Sequence, residues 1–377
     1  MNPGTNPVKD FTQINTVAKI LVATGTSGGH AFPAFGLLDV LKEQKGCQTL
    51  LVIPSSSRRN NIDTSGYNTK YISVENLKLR PFSRGIRSFF NFAKGSMESF
   101  IILSRFRPDV VVAFGSIACV PIILFSWIFR IKTVIHEQNV MPGKANLFLA
   151  WFADKIAVSF PHTGAAFKVS GDKIIVTGNP LRKDMVCIEK NKALSFFGFK
   201  PDKFTIAATG GSLGSSFINR EFSKAVSTMN HKFRIQVIHV CGESDFEELN
   251  KRYVESVMNI KLFKFLKSMQ YFYSASDLVV CRAGAMTVAE LVFFRVPAII
   301  IPYPYANKHQ SANAKVLEEA GSAVLFQEGE LDTDILKQAI DGIITDESRL
   351  RKMRESYKNI SFSGAADILA QEVLSLN

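Results

Sequence analysis

The sequence predicts an α/β protein built on two doubly wound parallel sheets, and three observations carry that expectation. The chain has 377 residues, more than one hydrophobic core ordinarily serves. Its apolar segments are continuous rather than alternating, as in strands buried on both faces, and amphipathic helical stretches separate them. A strand–glycine loop–helix unit also occurs twice: I-L-V-A-T-G-T-S-G-G at Ile20–Gly29 is echoed by F-T-I-A-A-T-G-G-S-L-G-S at Phe204–Ser215. Gly25 and Gly210 lie 185 residues apart, close to half the chain, which fits two similar domains rather than a solenoid.

Composition narrows the classes. An apolar fraction of 46% with 21% charged residues and 31 Phe describes a globular chain, not a disordered one. The net charge of +12 calls for an acidic partner: nucleic acid, anionic lipid or a phosphorylated substrate. Cys47, Cys119, Cys187, Cys241 and Cys281 are scattered without a C-x-x-C pair, which excludes a disulfide framework and a zinc knuckle and fits a reducing, cytoplasmic compartment. Residues 1–18 are polar and read as a loose tail, not an export signal. Val110–Phe129 is uncharged and long enough to span a bilayer, but Gly115, Ser116 and Pro121 interrupt it, so it reads as strand, turn and helix.

In chain order, the strand Lys19–Thr24 runs into the loop Gly25–His30 and a helix bearing Phe35, Leu37, Leu38, Val40 and Leu41, with Pro33 expected in its first turn. The loop spacing differs from the dinucleotide fingerprint, which disfavours a nicotinamide dehydrogenase. Strands are then expected at Thr49–Ile53, Val110–Phe114, Thr133–His136 and Ile156–Val158. His136-Glu137-Gln138-Asn139 begins like a zinc-protease motif, but the second histidine would fall at Val140, so no metal is expected. A polar quartet at a strand C-terminus reads instead as a wall of a ligand site. Thr177-Gly178-Asn179-Pro180 has turn chemistry and divides a first domain, 19–180, from a second, 181–350. A helical segment, 351–377, is a candidate to return to the first.

In the second half, strands are expected at Ile235–Val240, Leu278–Cys281 and Ala298–Ile301. The turn Arg282-Ala283-Gly284-Ala285 leads into a helix bearing Glu290, Leu291 and Phe294. Free N–H groups and the helix dipole there suit a diphosphate, and the Glu290 carboxylate suits sugar hydroxyls. An ordinary strand–helix corner with a surface Glu would read the same from these residues alone. Gln310 and Asn313, three apart on one helical face, offer amides that suit sugar hydroxyls and an acetamido group; helix-capping polarity also accounts for them. Asp332-Thr333-Asp334 is a D-x-D pattern, but the amphipathic run after it makes Asp332 an N-cap and not a metal ligand.

Between the first strands lies a basic and aromatic stretch. Lys78, Arg80, Arg84, Arg87, Lys94, Arg105 and Arg107 interleave with Leu77, Leu79, Phe82, Ile86, Phe89, Phe90, Phe92 and Phe100, and Ile122–Ile131 adds a second apolar run. It reads either as core aromatics under solvated bases or as an interfacial patch meeting an anionic membrane surface. Basic–aromatic mixtures also bind single-stranded nucleic acid. No nucleic-acid-binding signature accompanies this one, so no nucleic acid is expected.

Six stretches taken together, G-T-S-G-G-H-A-F-P-A, H-E-Q-N-V-M-P-G-K-A-N, T-G-N-P-L-R, G-G-S-L-G-S, C-R-A-G-A-M-T-V-A-E and H-Q-S-A-N-A, fall in that order from Gly25 to Ala314. In this they resemble the MurG family, family 28 glycosyltransferases that transfer N-acetylglucosamine from its UDP donor to lipid I in peptidoglycan synthesis. The resemblance implies a GT-B fold, two Rossmann-like domains facing across a cleft, with no metal or other cofactor in the chemistry. It also implies peripheral attachment to the cytoplasmic face of the inner membrane. By the same resemblance, Ser27, Gly28 and Gly29 lie in the first glycine loop as substrate-binding residues, and Asn139 contacts the donor sugar. Arg182 and Ser212 lie near the nucleotide, and Leu266 lines the uracil pocket. Ala285, Met286, Thr287, Val288, Ala289 and Glu290 hold the nucleotide sugar, with Glu290 on the ribose. Gln310 and Asn313 meet the N-acetylglucosamine. His30 is the candidate general base, since an imidazole titrates near neutral pH; a purely structural histidine is the alternative. The sequence departs from the family pattern at Thr26-Ser27, at Phe114-Gly115-Ser116-Ile117 and at Leu213. A UDP-N-acetylglucosamine 2-epimerase, a lipid glycosyltransferase with another acceptor, and a silent nucleotide-sugar binder remain as alternatives.

Overall fold

Seven parallel strands form the first sheet: β1 (Ala18–Ala23), β2 (Cys47–Pro54), β3 (Thr69–Ile72), β4 (Val110–Ala113), β5 (Lys132–Glu137), β6 (Lys155–Val158) and β7 (Ile174–Val176), in the order 3-2-1-4-5-6-7. Six more form the second: β8 (Phe204–Thr209), β9 (Ile235–Val240), β10 (Asn259–Phe263), β11 (Leu278–Cys281), β12 (Ala298–Ile300) and β13 (Ala323–Leu325), in the order 10-9-8-11-12-13. These come from a computed structural model that describes residues 17–60, 62–74, 82–229, 232–305, 309–360 and 364–377, with the backbone alone at 58–60, 82–89 and 232. Both sheets wind the same way. Each starts in the middle, runs outward, and reverses beside its first strand, so that crevices open at the C-terminal ends of β1 and β4 and of β8 and β11.

The central strands are where the sequence predicts them. β3, β7, β10 and β13 have no counterpart among the predicted strands, and all four are sheet edges. An edge strand is half-exposed, so T-K-Y-I or N-I-K-L-F lacks the continuous apolar signature of a central strand. Val110–Phe129 is the expected strand, turn and helix, ending in the helix Val120–Ile128. Pro33 departs from expectation. The helix starts at Gly28, so Pro33 lies in its second turn, and the glycines form the first turn instead of a loop ahead of it. Proline there has no N–H to give the Gly29 carbonyl.

Helices cover both faces of each sheet. One core cluster gathers Ile20, Val22, Leu37 and Leu38 with Leu369, Ala370 and Val373 of the last helix, Ala365–Leu374, which packs against Gly28–Glu43. The preceding helix, Glu347–Ser356, stays with the second sheet, and Tyr357 closes that core by donating its hydroxyl to the Val296 carbonyl at 2.7 Å. The two halves meet closely at Gly36, where an added Cβ would lie 2.6 Å from the Leu181 carbonyl oxygen. Only a residue without a side chain lets the first helix lie on the connecting segment. Gly36→Ala is expected to destabilise the chain by about 1–3 kcal/mol, the usual cost of overpacking against backbone, as measured by urea unfolding.

Candidate active site

At the first crevice, Ser27 takes the N-cap position of helix Gly28–Glu43 but caps nothing with its side chain. Its hydroxyl lies 2.8 Å from His30 Nδ1. His30, in the first helical turn, is thereby held by one ring nitrogen. Its other nitrogen faces the β4 loop: a Cβ at Gly115 would lie 3.2 Å from His30 Nε2. Gly115, at φ +78, leaves room for the ring and adopts a conformation costly for other residues. Gly25 fits against Ser116 in the same way, a Cβ there falling 2.7 Å from that side chain. Desolvation lowers the His30 pKa while the nearby Glu137 charge opposes it. The imidazole is therefore neutral at neutral pH and able to accept a proton.

The polar quartet after β5 does not form an open wall, which corrects the sequence reading. His136, Glu137 and Gln138 are buried. His136 Nε2 pairs with the Gly178 carbonyl at 3.0 Å, and Gln138 turns back on His136. Glu137 accepts from the Asn139 amide N–H and side chain, the Gly143 N–H and Asn146 Nδ2, all within 2.9–3.1 Å. Three of the four side chains build the loop; Asn139 alone is directed across the cleft. There Asn313 donates to Asn139 Oδ1 at 3.0 Å and accepts from the Val140 N–H at 2.9 Å. His309 Nδ1 reaches the Met141 carbonyl at 2.9 Å.

The second crevice is built from close-approaching backbone. Gly214, at φ +80, would place a Cβ 2.2 Å from the Cys241 carbonyl oxygen, so loop Gly210–Ser215 seats directly on the end of β9. Helix Ala285–Phe294 begins at Gly284 with no side-chain cap, leaving first-turn N–H groups toward the cleft. Arg282, not singled out as a site residue from sequence, is buried and ties three loops together. It donates to the Ile301 and Pro302 carbonyls, to Glu328 at 2.9 Å and to Ser215 Oγ at 2.6 Å. Its signal was a lone cation directly after an all-apolar strand. Gln310 accepts from the Ala283 and Tyr303 N–H groups, which fixes its amide orientation.

A cleft of about 1300 Å³ joins the two sides. Gly28, Gly29, Arg182, Ser212, Leu266, Ala285, Met286, Thr287, Glu290 and Gln310 line it together. Val288 and Ala289 face a separate, smaller cavity of about 320 Å³ behind the connecting segment, because they lie on the far side of their helix. Asn313 is fully buried in its amide pairing, and Ser27, His30 and Asn139 are not among the residues that line the cleft. Arg182 lies over the Phe32 ring at 4.7 Å, joining the halves. Asp332 caps its helix through Ile335 N–H, as the sequence predicts. Among the described residues no three His, Cys, Asp or Glu side chains gather as a metal site.

An apolar face crosses the first domain. Helices Phe82–Phe106, Val120–Ile128 and Lys144–Leu149 pack side by side. They and the residues just after them expose Met97, Phe100, Ile101, Trp127, Ile128, Phe129, Phe148 and Trp151. Ring contacts Phe100–Phe129, Trp127–Phe152 and Phe148–Phe152 join them into one surface, bordered by exposed Lys94, Arg130 and Lys144. Leu77, Lys78, Leu79 and Arg80 lie outside the described residues, as do the side chains of Phe82, Arg84, Ile86, Arg87 and Phe89. No helix among the described residues is long and apolar enough to cross a membrane.

Burial pushes the Glu290 carboxyl up to about 7, against a hydrogen bond from Tyr273 and the charge of Arg182, which favour the anion. Between the unfolded value near 4.5 and about 7 the folded chain holds a proton that the unfolded chain has released, so this group loses stability as pH rises through that window. Glu290→Gln is therefore expected to gain on the parent protein as pH rises from about 4.5 to about 7 and to hold a constant advantage above it. Thermal melts across that range measure the gap.

Residues 20–158 match the glycosyltransferase family 28 N-terminal domain, and 205–370 match the glycosyltransferase family 28 C-terminal domain. The UDP-N-acetylglucosamine--N-acetylmuramyl-(pentapeptide) pyrophosphoryl-undecaprenol N-acetylglucosamine transferase of Thermoanaerobacter sp. (strain X514) is 33% identical over 365 residues, which cover 95% of this chain and 100% of that protein. The crystal structure of Acinetobacter baumannii MurG superposes with a TM-score of 0.73 at 24% identity, over 95% of this chain and 99% of that one. A UDP-GlcNAc 2-epimerase from Neisseria meningitidis bound to UDP-GlcNAc shares the fold, with a TM-score of 0.67 at 14% identity over 95% and 100% of the two chains. The match of both domain models in order, with a full-length relative at this identity, places the chain in glycosyltransferase family 28.

Proposed function

We infer that the chain transfers N-acetylglucosamine from UDP-N-acetylglucosamine to the C4 hydroxyl of the muramoyl pentapeptide of undecaprenyl-diphosphate-linked lipid I, with inversion at the anomeric carbon. The observation that carries this reading is the cleft itself: it joins an uncapped helix start and close-packed glycine loop on one side to Gly28 and Gly29 on the other, in the helical turn that also bears the oriented His30. The full-length relative that the chain resembles is named for this transfer.

In this reading the second domain, 181–350, holds the donor. The first-turn N–H groups of Ala285, Met286 and Thr287 and the Ser212 loop receive the diphosphate and stabilise the charge that grows on departing UDP. Leu266 meets the uracil, Arg182 lies near the nucleotide, Glu290 takes the ribose and Gln310 the sugar. Asn139 and Asn313, paired across the cleft, exchange that bond for the donor sugar. The first domain, 19–180, with the returning helix Ala365–Leu374, presents the acceptor. His30 accepts the acceptor proton at Nε2, its Nδ1 held by Ser27, as positive charge develops on the sugar ring.

The apolar face with its basic border lies on the acceptor side. It suits peripheral seating on the anionic cytoplasmic face of the inner membrane, where a lipid-linked acceptor resides. An epimerase acting on free nucleotide sugar has no use for such a face.

UDP release measured with and without a lipid I analogue in detergent tests the assignment: release requires the acceptor and yields a disaccharide–lipid product. Release or sugar isomerisation without acceptor overturns it in favour of an epimerase. His30→Ala is expected to lose turnover by at least roughly tenfold with little change in donor affinity. Paired Trp127→Ser and Trp151→Ser changes are expected to weaken sedimentation with anionic vesicles at least several-fold and to leave UDP binding intact.

A further inference from the structure

Tyr273 lies on the helix Met269–Ala275, one strand before the glycine corner, and nothing in its sequence surroundings marks it. Its ring is 1% exposed, stacked on Phe294 at 5.3 Å and 18° and edged by Phe272 at 5.1 Å. Its hydroxyl donates to Glu290 Oε2 at 2.7 Å, and both residues line the floor of the cleft. The two come from different helices, so this hydrogen bond fixes a side chain that its own helix leaves mobile about three torsions. Burial pushes the Tyr273 hydroxyl well above its ordinary value, so it stays protonated and acts toward a carboxylate only as a donor. The other ionisable groups around Glu290 are Arg182 and Asp184 on the connecting segment and the buried Cys281 thiol on β11.

We propose that Tyr273 is a positioning residue: by holding Oε2, it presents the Glu290 carboxylate in the one orientation that accepts both vicinal hydroxyls of the nucleotide's ribose. The inference rests on the reading that Glu290 receives the ribose. A free glutamate would have to be ordered as the nucleotide arrives, losing rotamer freedom among the largest of any side chain. One already oriented by a rigid, stacked phenol loses little, and affinity gained this way appears only toward a ligand that has the diol. Tyr273 touches neither the sugar being transferred nor the acceptor, so its effect falls on nucleotide affinity and not on the rate with donor saturating.

The test is calorimetric titration of the full chain with UDP and with 2′,3′-dideoxy-UDP, for the parent protein, Tyr273→Phe and Glu290→Gln. Phenylalanine keeps the ring stack, and dideoxy-UDP binding serves as the control for an intact cleft. The parent protein is expected to prefer UDP by about tenfold or more. Tyr273→Phe is expected to lose about three- to tenfold of UDP affinity, the net effect of one ordinary hydrogen bond, with dideoxy-UDP unchanged. Its acid limb of UDP binding moves to higher pH, because the lost donor had favoured the Glu290 anion. Turnover at saturating donor stays at the parent value. Equal weakening toward both nucleotides, or discrimination kept in full, overturns the inference alone. A parent protein that does not distinguish the two nucleotides overturns the ribose assignment and the inference with it.

Discussion

Much of the molecule hangs on one buried carboxylate. Glu137 stands at the end of β5 with 2% of its surface exposed, where an unsatisfied charge would be costly. Four donors satisfy it, and all four come from the ten residues that follow or their backbone, so meeting its needs folds the loop. The loop in turn carries Asn139 to the cleft and starts the helix Lys144–Leu149 under the exposed aromatic face. The same charge reaches His30 and restrains the fall of its pKa. Cleft, apolar face and candidate base are thus coupled through a residue that no substrate need touch.

The interior of each sheet was legible because burial on both faces leaves only one kind of sequence. Val110–Ala113 and Leu278–Cys281 admit no polar residue, and their ends could be read to within a residue. The edges were not, since strands such as Ile174–Val176 are held by their neighbours and not by their composition. The site divides in the same manner. Backbone-built features, the glycine corners at Gly25 and Gly210, announce themselves because few residue types tolerate such approaches. Side chains whose role depends on what folds beside them do not. His136 and Gln138 looked exposed and are packed inward; Tyr273 and Arg282 looked incidental and hold other residues in place. Trp151 belongs to the apolar face only because a third helix packs next to the two that the sequence pattern marked.

The two halves share a winding and divide the chemistry. One offers an imidazole and an apolar exterior; the other offers peptide N–H groups, amides and a carboxylate. Polar contacts join them across the cleft, Asn139 with Asn313, Val140 with Asn313, His309 with Met141, and Asn179 Nδ2 with the Ala285 carbonyl at 3.3 Å, while Phe160 and Val140 pack into the apolar core of the second half. The polar contacts re-form with water or a ligand at small net cost, whereas the apolar ones do not.

The last helix has a consequence for synthesis of the chain. Leu369, Ala370 and Val373 complete a core whose other members, Ile20 to Ala157, are made first. The strands of the second sheet are all made before that helix. The half translated first therefore cannot complete its core until residues 365–374 are made, and waits with an apolar groove open against Gly28–Glu43. Through that interval the nascent chain presents a greasy surface of just the sort that chaperones hold.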